Sequence, residues 1–309
     1  MGQDTSQQIA TPPPEDAGVL QLGVAAAGDL RWAVVDLAGP VEEARRRLDL
    51  SPIAAVALGR VLAAAALVLR FTTKAKGRLV IEVLGDGPLK KIVAEADTEG
   101  RLRGMVGEPR LATPEDGRMK IGWAVGRGTM RVTRTGGPRT GGPRDGGSRG
   151  RYTSQVELVT GEMGRDLVYY LEQSQQIRSA ALLGVLPRPT GIAAAGGVLV
   201  EAFPGTPEES LGQLEANIAA IDGVSALLAN GGIAALRDAV LAGFDRGELE
   251  RHHLAYRCRC RRETLLGPLQ RFSSEDLEQI MDEAGRCVAE CAFCGHRYLF
   301  SRDELATVH

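Results

Sequence analysis

The stretch LVIEVLGDGPLKKIVAEADTEGRLRGMV, residues 79–106, decides the fold of this chain. It contains three apolar runs, at 79–84, 92–96 and 102–106, which are separated by the sequences GDG and DTEG. Glycine and aspartate between short apolar runs predict tight turns, so the three runs predict consecutive antiparallel strands. A meander of this kind, flanked by helices, favours an α+β fold over a doubly wound parallel sheet.

A buried helix is predicted before this stretch. Ser51 is a typical N-cap residue, and Pro52 fits the first position of the helix that follows it. Apolar residues occupy nearly every face of that helix, which predicts that it lies inside the core. The run 53–69 is also the best candidate for a membrane span, but Arg60 in its middle fits a buried helix better.

Further strands and helices are predicted on both sides of the meander. The run 30–37 predicts a strand, and Pro40 predicts the first position of a helix after it. Downstream, the run 156–159 predicts a strand, and a helix through Leu167 follows. Two apolar runs within 192–203, on either side of a glycine pair, predict the closing strands of the same sheet.

Two amphipathic helices are predicted after the sheet. The sequence TPEE, residues 206–209, has the form of a capping box with proline at the first helical position. Two apolar stripes at helical spacing then lie on either side of Asn230-Gly231-Gly232, which predicts a turn between the helices. The first stripe comprises Leu211, Leu214, Ile218 and Ile221, and the second comprises Ile233, Leu236, Val240 and Phe244. We expect these helices to form a layer between the core and the C-terminal cysteines.

The chain divides by composition into four parts. Residues 1–18 are polar and proline-rich, which predicts a disordered tail. The sheet and its helices form an α/β core domain over 19–204, the amphipathic helices form a linker over 205–253, and the cysteines lie in a C-terminal domain over 254–309. Within the core domain, the segment 135–150, TGGPRTGGPRDGGSRG, has no apolar residue and predicts a mobile loop.

Composition indicates a globular protein without a strong global charge. Of 309 residues, 44% are apolar and 25% charged, and the net charge is −2, so no overall field attracts nucleic acid or an anionic membrane. The first residues lack the basic start and apolar segment of a secretory signal, so we expect a cytoplasmic protein. Five cysteines in such a chain favour metal or thiol chemistry over structural disulfides.

The cysteines predict a metal site. Cys258 and Cys260 form a C-x-C pair, and Cys291 and Cys294 form a C-x-x-C pair that Gly295 follows. Alternate residues of an extended segment point to the same side, and a C-x-x-C turn can direct backbone amides at its sulfurs. Four thiolates at these spacings are typical of one tetrahedral zinc ion per chain. Purely structural disulfides and an iron–sulfur cluster are the alternatives.

Other residues near the two pairs are weaker ligand candidates. Cys287 is predicted to be a spare thiol in the strand that enters the C-x-x-C turn, with substitution as a ligand or capture of an oxidised partner as alternatives. His296 would replace one sulfur in a mixed site, but a solvated hairpin residue is favoured. His252 and His253 are adjacent, so their side chains face apart and a joint ligand role is not expected.

The sequence shows no motif for catalysis. GGSRG, residues 146–150, has the letters of a nucleophile elbow, but its flanks lack the required strand and helix. The segment 127–151 contains seven arginines and one acidic residue, with Tyr152 at its edge for base stacking, so a solvated loop is favoured over single-stranded nucleic-acid binding. We therefore expect a protein that is not an enzyme and that binds neither nucleic acid nor membrane.

Nearly end to end, the chain resembles the redox-regulated heat-shock holdase chaperones of about thirty-three kilodaltons. The C-terminal C-x-C and C-x-x-C pairs are the most specific mark of this resemblance. Three further stretches support it: SPIAAVALGRVLAAAALV (51–68), GDGPLKKIVAEADTEGRLRG (85–104) and VELVTGEMGRDLVYYLEQSQQIRSAALLGVL (156–186). The loop 135–150 and the additional thiol of Cys287 depart from the family pattern.

The resemblance implies a function and a switch. It implies an ATP-independent chaperone that holds unfolded or partly folded client proteins, with Cys258, Cys260, Cys291 and Cys294 as a zinc-bound redox switch. Oxidation would join Cys258 to Cys260 and Cys291 to Cys294, release zinc, unfold the C-terminal domain and expose the apolar stripes of the linker. A homodimer is expected on activation.

Two other functions remain open from the residues alone. A zinc-ribbon nucleic-acid module would use the arginines around the first cysteine pair, although the segment between the pairs is acidic. A thiol–disulfide oxidoreductase would need C-x-x-C at the N-terminus of a helix in a βαβ unit, whereas a hairpin is predicted here.

Overall fold

The computed structural model describes residues 17–73, 76–114, 119–136 and 150–306. Residues 1–16 of the predicted tail 1–18 and most of the predicted loop 135–150 lie outside these ranges, whereas Gly18, predicted as the end of the tail, is the first residue of a strand.

The described residues form an α+β fold, as predicted. The strands are β1 (Gly18–Ala25), β2 (Leu30–Asp36), β3 (Gly77–Gly85), β4 (Lys91–Asp97), β5 (Arg101–Val106), β6 (Gly128–Gly136), β7 (Arg151–Glu157), β8 (Ser179–Arg188), β9 (Gly191–Ala202), β10 (Arg246–Tyr256), β11 (Arg286–Glu290) and β12 (Arg297–Ser301). The helices are α1 (Ala38–Leu48), α2 (Pro52–Thr72), α3 (Ile121–Val125), α4 (Gly164–Gln175), α5 (Glu208–Ala219), α6 (Val224–Val240), α7 (Arg262–Leu269), α8 (Ser274–Ile280) and α9 (Arg302–Ala306).

Ten of the strands that the structure describes form one sheet, in the order β7-β6-β3-β4-β5-β10-β1-β2-β9-β8. Strand β10 joins its two halves, because it pairs antiparallel with β1 and, at Ala255 and Tyr256, parallel with β5. The predicted meander is confirmed, since β3, β4 and β5 are consecutive neighbours. β11 and β12 form a separate hairpin.

The long apolar helix α2 is the centre of the core. Its N-cap is Ser51, whose hydroxyl accepts a hydrogen bond from the Ala54 amide at 3.4 Å, and Pro52 occupies the first turn as predicted. Its most apolar window has the length and hydropathy of a membrane span, but 89% of that window is buried within the protein. Arg60 reaches the surface, where it donates to Glu162 at 2.6 Å. The helix is therefore a core helix that packs on the sheet.

Several predicted boundaries differ from those observed. Helix α1 begins at Ala38, two residues before Pro40, because the Asp36 carboxylate accepts a hydrogen bond from the Ala38 amide at 3.0 Å. The two runs predicted within 192–203 form one strand, β9. A glycine at position 196 lets β9 pass close to β2, since a Cβ there would lie 2.0 Å from the Val35 carbonyl oxygen. Strands β1, β6, β8 and β10 were not predicted from the sequence.

The predicted capping box is wrong, because the Thr206 hydroxyl donates to the carbonyl oxygens of Asp29 and Phe203 at 2.9 and 2.7 Å. Pro207 is the N-cap of α5, and its side chain makes no capping hydrogen bond. The predicted glycine turn is also displaced, since Gly232 lies inside α6 as a break with φ +61°. The turn between α5 and α6 lies at 220–223, and the two helices are bent by 114°.

Helix α6 covers the face of the sheet opposite α2. Trp32 and Val34 of β2 and Val198 and Val200 of β9 point to this face and are buried against it. Leu236 of α6 is fully buried in the same cluster. The helical layer therefore lies over the β2-β9-β8 end of the sheet and forms a second core there.

Candidate metal centre

Two local structures carry the paired cysteines. Cys258 and Cys260 directly follow β10, at the point where the chain leaves the sheet. Cys291 and Cys294 lie in the turn between β11 and β12, which closes when the Cys294 and Gly295 amides donate to the Cys291 carbonyl oxygen at 3.1 and 2.8 Å. Gly295 has φ +67°, a conformation that glycine adopts without strain.

The fold brings the four paired cysteines together. Their sulfur atoms all lie within 4.8 Å of one another, with Cys258 Sγ 3.7 Å from Cys291 Sγ and Cys260 Sγ 3.5 Å from Cys294 Sγ. Disulfide sulfurs lie about 2.05 Å apart. Sulfurs around a tetrahedral zinc ion, each at about 2.3 Å from it, lie roughly 3.8 Å apart. The donor set and its spacing therefore fit a single tetrahedral ion such as zinc.

The weaker ligand candidates lie outside this cluster. Cys287 is buried between Phe300 and other apolar side chains, and Phe300 is its direct partner across the β11–β12 hairpin. The His296 ring contacts the Tyr298 ring edge-on, with 4.5 Å between the ring centroids. The His252 ring lies 2.7 Å from the Glu250 carboxylate.

The protein surroundings shift the pKa values of Cys260, Cys291 and Cys294 in different directions. Burial raises the pKa of Cys291 and of Cys294, and the amides of Phe293 and His296 partly offset this by donating to the sulfurs. Burial also acts to raise the pKa of Cys260, but hydrogen bonds from Tyr298 and the neighbouring cysteines outweigh it and lower the pKa. The Tyr298 hydroxyl lies 3.3 Å from Cys260 Sγ, and this contact raises the pKa of Tyr298 to about 12. A bound cation would stabilise the thiolate form of the two buried cysteines.

A small apolar core supports the centre. Phe300 and Leu305 are buried with Cys287, and Leu269, Leu277 and several other partly exposed side chains pack around them. Arg262 covers this core, because its guanidinium lies 4.2 Å from the centroid of the Phe300 ring. Few side chains are fully buried in this cluster, so a bound ion would supply much of the stability of this part of the chain.

The cysteine module, defined here as residues 257–306, lies against β4, β5 and the end of α1, where Gly295 packs against the Arg47 carbonyl oxygen. The Tyr256 hydroxyl donates to the carbonyl oxygens of Gly104 and Phe293 at 2.8 and 2.6 Å. Arg259, between the first two cysteines, forms ion pairs with Glu95 and Asp97 of β4. The predicted packing of this module on the amphipathic helices is wrong, because α6 packs on β2, β8 and β9 at the other end of the sheet.

Sequence reasoning missed these core contacts. Glu95 and Asp97 alternate with apolar residues along β4, a pattern that predicts a solvated face rather than a contact with a distant segment. The sequence signal that could have indicated this contact is the position of Arg259 between the two cysteines of the C-x-C pair.

Three comparisons relate the chain to known proteins. The family described as Hsp33 protein matches residues 19–301, a range that includes all four clustered cysteines. A 33 kDa chaperonin of Thermus thermophilus is 40% identical over 304 residues, which cover 94% of this chain and 86% of that protein. The 33 kDa chaperonin of Deinococcus radiodurans is 38% identical over 295 residues, or 93% and 96% of the two chains. The crystal structure of the 33 kDa chaperonin from Thermotoga maritima has a TM-score of 0.82 and 32% identity, and the match covers 93% and 96% of the two chains.

Proposed function

Because the chain belongs to the Hsp33 family, we propose that it is an ATP-independent holdase chaperone whose activity is switched on by oxidation of its cysteine centre. The observation that carries this proposal is the cluster of four cysteines within 4.8 Å of one another, in a module with a small apolar core of its own. The names of the relatives, all 33 kDa chaperonins, support the chaperone part of the proposal.

In the resting protein, Cys258, Cys260, Cys291 and Cys294 would hold one zinc ion per chain. The ion, when bound, would keep the sulfurs deprotonated and join the segment after β10 to the β11–β12 hairpin. The amides of Phe293 and His296 and the Tyr298 hydroxyl donate to these sulfurs and so stabilise their thiolate form.

Oxidation would remove the ligands in pairs. A thiolate attacks a peroxide oxygen to give a sulfenic acid, and hydroxide leaves. The neighbouring thiolate then attacks that sulfur, a disulfide forms and the sulfenic oxygen leaves as hydroxide, so each disulfide consumes one peroxide. The disulfides would be Cys258–Cys260 and Cys291–Cys294. Sulfurs in disulfides are uncharged, so the thiolate ligand set is lost and the module loses its main support.

Loss of the module would then loosen the helical layer through β10. This strand leads directly into Cys258, and its N-terminal part is tied to α6 by ion pairs, Arg246 with Asp238 at 3.0 Å and Glu248 with Arg237 at 4.0 Å. Release of α5 and α6 would uncover the apolar face of β2 and β9. It would also expose the apolar stripes of the two helices themselves. These surfaces would bind unfolded or partly folded client proteins.

The two rival functions have less support. Cys291 and Cys294 lie in a β-hairpin turn, whereas a thiol–disulfide oxidoreductase places C-x-x-C at the start of a helix. The segment between the cysteine pairs carries Glu275, Asp276 and Glu278 on α8, which disfavours contact with phosphates. We therefore propose a protein without enzymatic activity that acts on client proteins in the cytoplasm, where thiols persist, and that forms a homodimer on activation.

Metal content, thiol content and chaperone activity of the same sample test the proposal. The reduced full-length protein should contain one zinc per chain and should not suppress the aggregation of a chemically denatured enzyme diluted into buffer. Peroxide should release the zinc, convert four thiols into two disulfides and switch on the suppression without ATP, and thiol reductant with zinc should reverse all three. Suppression that is equal before and after oxidation would contradict the redox switch.

A further inference from the structure

Within each cysteine pair, one residue between the two cysteines contacts the same patch of the core sheet. Arg259, within C-x-C, forms ion pairs with Glu95 and with Asp97, the latter at 3.4 Å between Nη1 and Oδ2. Phe293, within C-x-x-C, lies under the guanidinium of Arg103 on β5, with 4.5 Å from Cζ to the ring centroid. Each cysteine pair is therefore attached to the sheet by a residue that lies between its two cysteines.

The two attachments are connected through the sheet. Arg103 donates to Glu95 Oε2 from Nε at 3.1 Å and from Nη2 at 2.7 Å, across the β4–β5 pairing. Glu95 thus binds both Arg103 and Arg259, and its side chain is 6% exposed. A continuous set of contacts, Arg259–Glu95–Arg103–Phe293, runs from one cysteine pair to the other through β4 and β5. We call these four residues the docking network.

We propose that Arg259 is a positioning residue for the oxidation of the cysteine centre: through the docking network it holds the C-x-C pair against the core and slows the opening of the centre by oxidant. This inference rests on the proposed function. A disulfide between residues i and i+2 encloses the middle residue in a small ring, so its formation changes the backbone direction at Arg259. That change withdraws the guanidinium from Glu95 and Asp97, and the ion pairs therefore oppose it.

The same contacts also couple the two events in the other direction: weakening the docking network favours oxidation of the cysteine centre. Detachment of Arg259 leaves Glu95 paired with Arg103, and Asp97 paired with Arg101 at 2.8 Å, so the core keeps its own charge balance. Because both carboxylates retain partners, a variant without the Arg259 side-chain charge should fold. Since coupling between two sites is reciprocal, any change that weakens the docking network makes oxidation of the centre more favourable.

The test compares Arg259→Gln with two matched controls in the zinc-loaded full chain. Arg257→Gln and Arg261→Gln remove the same charge at exposed positions on either side of the C-x-C pair. Zinc content should be equal in all variants before oxidation. The rate of zinc release after peroxide, followed with a chromogenic chelator, should rise about tenfold for Arg259→Gln and less than about twofold for either control. Arg259→Lys, which keeps the charge but not the planar fork, should lie between them.

A salt series and amide hydrogen exchange distinguish the loss of the Arg259 ion pairs from a general destabilisation of the cysteine module. Raising the salt concentration from about 0.05 M to about 1 M should speed zinc release in the original chain and should have little effect on Arg259→Gln. In the reduced, zinc-loaded protein, amide exchange in β4 and in the β11–β12 hairpin should be faster for Arg259→Gln than for the controls. This exchange measurement does not depend on peroxide or on chaperone activity.

Each outcome decides between the two proposals. Equal exchange and equal release in Arg259→Gln and in the controls would overturn the role of Arg259 while leaving the redox switch intact. Faster exchange in Arg259→Gln without any peroxide-driven zinc release in the original chain would support the docking role and contradict the proposed switch.

Discussion

The Tyr298 hydroxyl lies 3.3 Å from Cys260 Sγ, so one of the four clustered sulfurs accepts a hydrogen bond from a phenol. A thiolate that accepts a hydrogen bond is a weaker nucleophile, because the donor stabilises the charge that attacks the oxidant. The bond therefore protects Cys260.

Tyr298→Phe should make Cys260 react with peroxide about threefold to tenfold faster, because it removes this donor and keeps the ring. Alkylation of the remaining thiols followed by peptide mass spectrometry gives the rate at each cysteine, and Tyr169→Phe on α4 is the control. An unchanged or slower rate at Cys260 would show that the hydrogen bond does not govern its reactivity.

Replacement of single cysteines should separate the ligands from the buried thiol. Cys258→Ser, Cys260→Ser, Cys291→Ser and Cys294→Ser should each lower the zinc content of the purified protein, because each removes one sulfur of the cluster. Cys287→Ser should retain one zinc per chain, since this side chain packs against Phe300 rather than in the cluster. Loss of zinc from Cys287→Ser, measured by elemental analysis, would contradict this assignment.

Leu236→Ala should release the helical layer without oxidation. The side chain is fully buried between α6 and the sheet, so its truncation should lower the free energy of unfolding by roughly 2–5 kcal/mol. The reduced, zinc-loaded variant should bind more of an apolar dye and suppress client aggregation. Leu167→Ala, the same truncation of an equally buried residue on α4, should lose stability without gaining activity. Equal activity of the two variants would place the client surface elsewhere.

The stability of the core should depend on pH through Glu201. Burial raises the pKa of its carboxyl, and the paired guanidinium of Arg31 opposes this without cancelling it. A raised folded-state pKa means that the contribution of Glu201 to stability is full below its ordinary pKa and is lost as pH rises through the folded value. Urea unfolding should therefore show Glu201→Gln gaining stability relative to the original chain as the pH rises above 4.5, the ordinary pKa of a glutamate carboxyl. The exposed Glu209→Gln is the control, and a constant or falling difference would contradict the direction.

Local sequence signals predicted the elements whose causes are local. The β3-β4-β5 meander follows from turns within a few residues of each strand, and the Ser51 cap acts on an amide three residues away. The predicted capping box is wrong because the Thr206 hydroxyl donates a hydrogen bond to the carbonyl oxygen of Asp29, a residue far away in the sequence. Strand β10, RGELERHHLAY, is rich in charged residues, and its pairing with β1 rather than its own pattern makes it a strand.

The same distinction applies to the candidate site. The spacing of the four cysteines predicted the cluster, because each pair is a local structure and four thiolates suit one ion. The contact of Arg259 with Glu95 joins residues far apart in the chain, and no periodicity in either segment indicates it. Functional contacts of this kind come from the topology, which here places β4 and β5 beside the end of β10.

The central position of β10 orders events during synthesis on the ribosome. A nascent chain that has not yet exposed residues 246–256 has β1 and β5 as open edges, which are surfaces for association with other nascent chains. Once Tyr256 emerges the sheet can close, and Cys258 and Cys260 follow immediately. At about 5–20 residues per second, Cys291 emerges roughly 2–6 s after Cys260. The nascent chain therefore completes its sheet several seconds before its cysteine centre. During that interval the thiols of Cys258 and Cys260 are present at the edge of the folded sheet without Cys291 and Cys294.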